Sequence, residues 1–429
     1  MRSLVAIFAL AFAATPALAS SPGGPSFQVS EAETLQARPA IAYDPGSDRF
    51  LSIWHDYRNK TTTGLDIYGR IVNGRGEAVT ADIPVARTNG SQGFSAVAFD
   101  PVNRRYMVVW TDWRNAADVD SDIYGRLINA DGTPHGEEFV ITDVRRISQK
   151  FPNLAFDTVR QRFLVLWVDA RNGQVDKIYG RYLGADGSPL GEEFPVALEG
   201  NYQDYPSLLF DPRHDRFVVV WRDTRSVAID RLEKAVYGSF IDGVHGPSGT
   251  AFRIALEKEG CSPLSLRSIS FSPEDDAYFV AWSSGRNYSE IMPSTGGYMD
   301  RQRGLDVYGA FISVEDGSLR KRPFIIASEI DYQEVPSVSY DPRDDRFLVV
   351  WYDLRRPPTG RDSDIYGRFI TPKGTMTPEF LVSETQAAGT RKYPAVEYSP
   401  RSSSFLVLWE DGRGRDAGRA RQIYGARVR

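Results

Sequence analysis

Cysteine is all but missing: Cys261 is the only one in 429 residues. No disulfide can form within the chain, so packing alone must hold the fold. Histidine is nearly as scarce, with four residues at scattered positions, and one cysteine and four separated histidines give no zinc-ligand spacing. Lysine and arginine number 51 against 56 aspartates and glutamates, a formal net charge of -5. With no excess of cations to displace counterions from phosphates, a nucleic-acid partner is not expected. Long apolar runs are absent too. The longest, Leu4 to Ala14, is about half of the roughly 20 residues a membrane-spanning helix needs, so no membrane insertion is expected. No Gly-x-Ser-x-Gly elbow occurs, and spacing alone assembles no Ser-His-Asp set.

What is present is a globular composition, 41% hydrophobic and 12% aromatic, which excludes a disordered or collagen-like chain. Residues 1–19 read as a signal peptide. Arg2 gives the positive start, the apolar run follows, and Ala17-Leu18-Ala19 is a small-residue cleavage site before Ser20. Export to the periplasm or the extracellular medium is expected, with residues 20–429 as one domain.

One pattern recurs seven times: a strand ending in a turn, an apolar strand ending in Trp, and a strand carrying Tyr-Gly. The tryptophans are Trp54, Trp110, Trp167, Trp221, Trp282, Trp351 and Trp409, and each has an Arg four residues on. The Tyr-Gly pairs begin at Tyr68, Tyr124, Tyr179, Tyr237, Tyr308, Tyr366 and Tyr424. The mean period is about 59 residues, since Trp54 to Trp409 spans 355 residues and six intervals. Each repeat reads as four strands, a to d. Unbroken runs such as Phe347-Leu348-Val349-Val350-Trp351 imply a strand b buried on both faces, and the Tyr-Gly glycine would let a neighbouring sheet approach.

Four-stranded units buried on both faces suit a β-propeller or a linear solenoid. The chain ends separate the two. The last repeat stops after strand c, whereas Phe27-Gln28-Val29-Ser30 precedes the first strand a and matches the d-type segment Phe380-Leu381-Val382-Ser383. The expected fold is therefore all-β, a seven-bladed β-propeller of four antiparallel strands per blade, with the N-terminal strand closing the last blade. The Trp-x-Asp-x-Arg and Asp-Ile-Tyr-Gly-Arg repeats resemble those of bacterial secreted β-propeller repeat proteins over essentially the whole mature chain. That resemblance implies an architecture and not an activity, because propellers serve as scaffolds, lectins, lyases, hydrolases and inhibitors alike. The sialidase box Ser-x-Asp-x-Gly-x-Thr-Trp does not occur.

In such a ring the b-to-c and d-to-a connections emerge on one face, usually the binding face. Gln36, Gln92, Gln149, Gln203 and Gln333, each placed three residues before strand a, are candidate ligand contacts there. Asp at six and Arg at seven repeat positions read first as ties between a b-to-c loop and a neighbouring blade, since a catalytic group is needed once and a structural one in every blade. His55 alone among the histidines falls beside this face, where Asp56 could raise its pKa, making it the catalytic candidate. Asp118, Asp120 and Asp122 have the alternate spacing of a calcium loop but lack its Gly and distal Glu. A solvated acidic loop is the competing reading, and no cofactor other than calcium is suggested.

Repeat five departs most from the pattern. Trp282-Ser283-Ser284 loses the Asp, and 26 residues separate its Trp from its Tyr, against 12 to 16 elsewhere. The insertion, Asn287 to Gly304, carries Tyr288, Tyr298, Arg301 and Arg303, residue types suited to recognition. The expected function is a binding or scaffold propeller for a protein or glycan. The alternative is a carbohydrate-active enzyme, a polysaccharide lyase or a glycosidase-like protein, acting at the channel mouth, with an anionic glycan matched to the arginines.

Overall fold

A computed structural model of the chain describes residues 22–429 apart from 117–119, 143–146, 172, 174, 198, 201, 229–230, 248–249, 258–266, 286–303, 330, 356–361, 384–388 and 414–419; of 225–228, 231–234 and 256–257 it describes the backbone alone. The signal-peptide segment lies outside the described residues. Among those described there is strand and turn but no helix, arranged as seven antiparallel sheets. Blade 1 shows the plan: strand a Gln36–Asp44, b Arg49–Asp56, c Asp66–Asn73 and d Ile83–Ala86 pair in that order. Neighbouring a strands touch from blade 1 round to blade 7, and the a strands of blades 7 and 1 touch each other. The molecule is a seven-bladed β-propeller.

Closure follows the expectation from the chain ends. Phe27–Gln28 pairs with the final strand Gln422–Val428, Phe27 opposite Gly425 and Gln28 opposite Tyr424. The Val29 amide donates to the Ile423 carbonyl at 2.8 Å, and the Gly24 amide to that of Arg427 at 2.8 Å. Arg70 of blade 1 then ties this strand to its neighbour, donating to the Val29 carbonyl at 2.8 Å and pairing with Glu31 and Asp82.

There is no single core. Seven apolar clusters fill the seven junctions, each holding one repeat tryptophan against the preceding blade: Trp110 between blades 1 and 2, Trp54 between 7 and 1. Strand b is buried along its length, from Phe163 to Asp169 for example, because both its faces meet neighbouring blades. All seven tryptophans have 0% exposure.

A buried indole N–H needs an acceptor, and Asp two residues on supplies it: Trp110 donates to Asp112 at 2.8 Å and Trp167 to Asp169 at 3.0 Å. The carboxylate also takes the backbone and guanidinium N–H groups of the following Arg, as Arg171 to Asp169 at 2.8, 2.9 and 2.6 Å. That Arg lies on the Tyr of Tyr-Gly, 3.8 Å from Arg171 to the Tyr179 ring, and pairs with an acid of strand d, Glu193 at 2.6 Å. Arg58, Arg114 and Arg355 repeat the set with Asp82, Glu138 and Glu379. The expected tie to a neighbouring blade is therefore corrected: this clasp joins strands b, c and d of one blade. Burial alone would raise the Asp56 carboxyl, but Arg58 and the Trp54 indole outweigh it and hold its pKa below the ordinary value.

Ties between blades come from the other arginine, in Tyr-Gly-Arg. Arg126 reaches the Val85 carbonyl of the preceding blade at 3.1 Å and Arg181 that of Ile141 at 3.0 Å. The intervening glycine makes room within its own blade, not for a neighbouring sheet: a Cβ at Gly125 would lie 3.0 Å from the ring of Phe139 on strand d.

Two measurements test this account. Deleting residues 23–30 should unpair the seventh blade's edge and lower the melting temperature by roughly 5 °C or more, or cause aggregation; an unchanged melting curve would remove closure from the stabilising interactions. Asp169→Ala leaves a buried indole N–H without its acceptor and Arg171 with Glu193 alone, and should cost about 1–3 kcal/mol in denaturant unfolding.

Candidate functional site at the channel mouth

The five glutamines lie within their a strands rather than in loops before them, four as the first residue and Gln203 as the second. All five have 0% exposure. Their backbones link blades: the Gln92 amide donates to the Leu65 carbonyl at 2.6 Å, the Gln333 amide to Leu305 at 2.7 Å. Their side chains turn into the loops, Gln36 to the Ala32 carbonyl at 2.9 Å and Asp56 at 3.3 Å, Gln203 to the Glu199 carbonyl at 2.7 Å. Gln149 likewise reaches Asp169. Ligand contact by this ring is thus corrected to a sealed structural role. In blade 7 the position holds Arg391, 1% exposed between Asp364 at 2.6 Å and Asp411 at 3.2 Å, a member of the set that a search for Gln misses.

His55 does line the channel, but its chemistry is the reverse of that expected. Asp56 points to Trp54 and Arg58 on the opposite side of the strand, while His55 faces Phe94 and accepts from the Ser95 amide at 3.4 Å. Burial, assisted by the positive charge of Arg38, pulls its pKa down to about 3. A neutral imidazole of so low a basicity is a poor general base near pH 7. Of the acidic run, Asp118 lies outside the described residues, Asp120 is exposed and Asp122 is buried. Among the described residues no group of three potential ligands could hold a metal. Tyr288, Tyr298, Arg301 and Arg303 all lie outside the described residues.

What the structure brings together is a set of side chains that the repeat leaves variable. In six blades strand a carries a bulge two residues after its first position. The bulged residue takes a left-handed conformation: Arg38, Phe94, Phe151, Tyr205, Val335 and Tyr393, all with φ between 50° and 55°. None is glycine, so each costs on the order of 1–3 kcal/mol of backbone strain. The bulge re-aims the side chain from a blade face into the channel, and the six form a half-buried collar.

Five of the six form a continuous arc. Phe94 meets Phe151 with ring centroids 4.5 Å apart, and Phe151 meets Tyr205 at 4.7 Å. The Arg38 guanidinium lies 4.3 Å from the Tyr393 ring and 5.3 Å from Phe94, bridging the two. Trp113, the one tryptophan outside the seven repeats, adds a ring 6.1 Å from Phe94. Its position outside the 59-residue period was the signal in the sequence.

Around these rings stand the residues between Trp and Asp on strand b, with their partners on strand a. Arg222 donates to Asp204 at 2.7 Å and lies 5.1 Å from the Tyr205 ring. The Tyr352 hydroxyl donates to Glu334, and Lys392 sits 5.3 Å from the Tyr352 ring. Glu410, with 0% exposure, accepts from Arg421 at 2.5 Å and from the Arg38 amide at 3.4 Å. Burial raises its carboxyl pKa, with Arg421 and Arg38 pulling the other way. Collar and channel together enclose a cavity of about 650 Å³, lined by a strands from the collar down to Pro45, Pro101 and Thr158 on the far face.

No protein-family model and no curated protein matches the chain. Among solved structures it is similar to the Hadza microbial sialidase Hz136, with 11% identity, 85% of this chain and 73% of that one covered, and a TM-score of 0.49. It is likewise similar to an α-L-arabinofuranosidase from Fusarium graminearum bound to an iminosugar inhibitor, at 9% identity, 82% and 99% coverage and a TM-score of 0.49. A GH93 α-L-arabinofuranosidase of Fusarium graminearum with arabinobiose gives 8% identity, 95% and 98% coverage and a TM-score of 0.48.

The lowered pKa of His55 predicts a pH effect. The unfolded chain takes up a proton near pH 6.5 and the folded one only near pH 3, so stability should fall as pH drops through that window, by at most about 1.4 kcal/mol per pH unit. His55→Gln should flatten this part of the stability curve, and identical curves for the two proteins would remove His55 as its source.

Proposed function

We propose that the protein is a carbohydrate-binding propeller that seats a glycan on the aromatic collar at the channel mouth. The supporting observation is the collar itself: four aromatic rings and Arg38, held toward the axis by strained bulges and rimmed by hydrogen-bonding pairs. Sugar rings present C–H faces to aromatic planes and hydroxyls to the surrounding polar groups, and an aromatic floor with a polar rim satisfies both. Anionic glycans lose the support they had from the sequence, because the repeated Trp-x-Asp-x-Arg arginines with described side chains are committed to their clasps. Export to a compartment containing polysaccharide agrees with this reading and is part of the proposal.

Hydrolysis is a second reading, favoured by one group. Glu410, on strand b of blade 7, is a carboxyl whose pKa burial raises; with 0% exposure it would give a proton to a leaving oxygen only once its contacts with Arg421 and the Arg38 amide open.

Affinity electrophoresis against neutral and acidic polysaccharides tests the first reading. Phe151→Ala and Tyr205→Ala should each weaken retardation by about tenfold, the loss of a stacked ring at a well-packed contact. Retardation unaltered in both variants would sink collar binding. Reducing-end release by the wild type that disappears in Glu410→Gln would establish the hydrolytic reading.

A further inference from the structure

The residue after the bulge, with its counterpart Arg267 in blade 5, marks a second position per blade, and Pro39, Ser95, Pro206, Arg267 and Pro394 line the channel from it. Five blades place proline there: Pro39, Pro152, Pro206, Pro336 and Pro394. The two exceptions are both polar. Blade 2 has Ser95, 2% exposed, whose hydroxyl has no hydrogen-bond partner among the described residues. Blade 5 has Arg267, whose side chain crosses the channel to the opposite side of the ring. It donates to the Ile41 carbonyl of blade 1 at 2.6 Å and pairs with Glu397 of blade 7.

A proline at this position offers the channel no donor, so the two departures supply what the repeat cannot. Glu397 occupies the position held by Ala42 in blade 1, counted from the paired residues Ala395 and Ala40, and is the one charged residue at a position that holds Ala, Leu or Ser in the other blades. All three line the same cavity. The Arg267 side chain keeps 32% of its surface, and that of Glu397 19%, open toward the channel. The surrounding protein nonetheless desolvates the guanidinium and pulls its pKa down to about 10.

We propose that the channel below the collar is a second binding site, which takes a small uncharged polyol such as a monosaccharide, with adjacent hydroxyls bridging Arg267 and Glu397. An ion pair presents donors and an acceptor side by side with no net charge. A vicinal diol matches it, since one hydroxyl accepts from the guanidinium while its neighbour donates to the carboxylate. An anion would have Glu397 against it, and a cation Arg267. Ser95 adds a hydroxyl for a third contact, and the cavity of about 650 Å³ that the channel shares with the collar lies within the range of small-molecule sites. The site shares its ligand class with the collar but none of the three polar residues that define it.

The test is isothermal titration calorimetry of the mature chain with L-arabinose, D-galactose and myo-inositol as uncharged probes and D-galacturonate as the acidic one. At least one uncharged probe is expected to bind. Glu397→Gln, which preserves shape, should weaken that binding about tenfold or more, and Arg267→Met similarly, as removal of a charged hydrogen-bonding partner requires. Ser95→Ala should weaken it by a few fold. Melting curves report folding of each variant; if Arg267→Met does not fold, Glu397→Gln and Ser95→Ala carry the test. The proposal is overturned if no uncharged probe binds, if binding is unchanged in Glu397→Gln, or if galacturonate binds best and more tightly in Glu397→Gln than in the wild type. Polysaccharide retardation lost in Phe151→Ala, with monosaccharide binding absent, would leave the collar reading standing and remove this one.

Discussion

Seven indole N–H groups buried at blade junctions set a condition that most of the molecule answers. A tryptophan large enough to fill a junction brings a donor that water cannot reach, so an acceptor must be buried with it. The Asp two residues on is that acceptor, and a buried carboxylate in turn requires cations and amides. Arg four residues on satisfies it, rests on the Tyr of strand c and reaches an acid in or just before strand d. One polar requirement thus fixes three strands relative to one another in every blade where the set is complete and described. Blade 5 has Ser284 in place of the Asp, and its b-to-c connection is the longest in the chain.

The ring separates two duties along each strand. Positions that repeat, among them Trp, Asp, Arg, Tyr and Gly, knit blades internally or to one another. Positions that vary face the channel or its rim. The residue between Trp and Asp runs His55, Thr111, Val168, Arg222, Ser283, Tyr352 and Glu410, and the bulged residue is as diverse. Strands b and a hold these side chains in fixed registers, so differences among blades become differences around a circle. The rim is correspondingly uneven, with His55, Phe94 and Trp113 on one arc and ion pairs such as Arg222 with Asp204 on another.

Much of the fold was legible because it is periodic: seven tryptophans and seven Tyr-Gly pairs define blade number, strand order and the closing strand. The site was not, for a physical reason. A bulge is a backbone event in which a residue patterned like its neighbours adopts a left-handed conformation, and Phe151 or Tyr393 in a strand reads as core. The glutamines drew notice through repetition, which proved to mark a buried structural role. Acids such as Glu138 and Glu193, one residue before a strand-d phenylalanine, were equally regular but lie far in sequence from the arginines they complete. Trp113 and Arg267 break a period or a repeated proline, and such breaks point inward to the channel.

The collar backbone is held at φ near +50° by residues that are never glycine in the six described blades, although glycine would occupy that conformation at lower cost. The chain therefore forgoes stability at its centre to keep side chains there. Because the same bulge recurs, its geometry does not depend on which side chain it carries, as Arg38, Val335 and Tyr393 demonstrate. The mouth amounts to a circular array of interchangeable sockets in which recognition can be rewritten one blade at a time while the packing of the ring stays as it is.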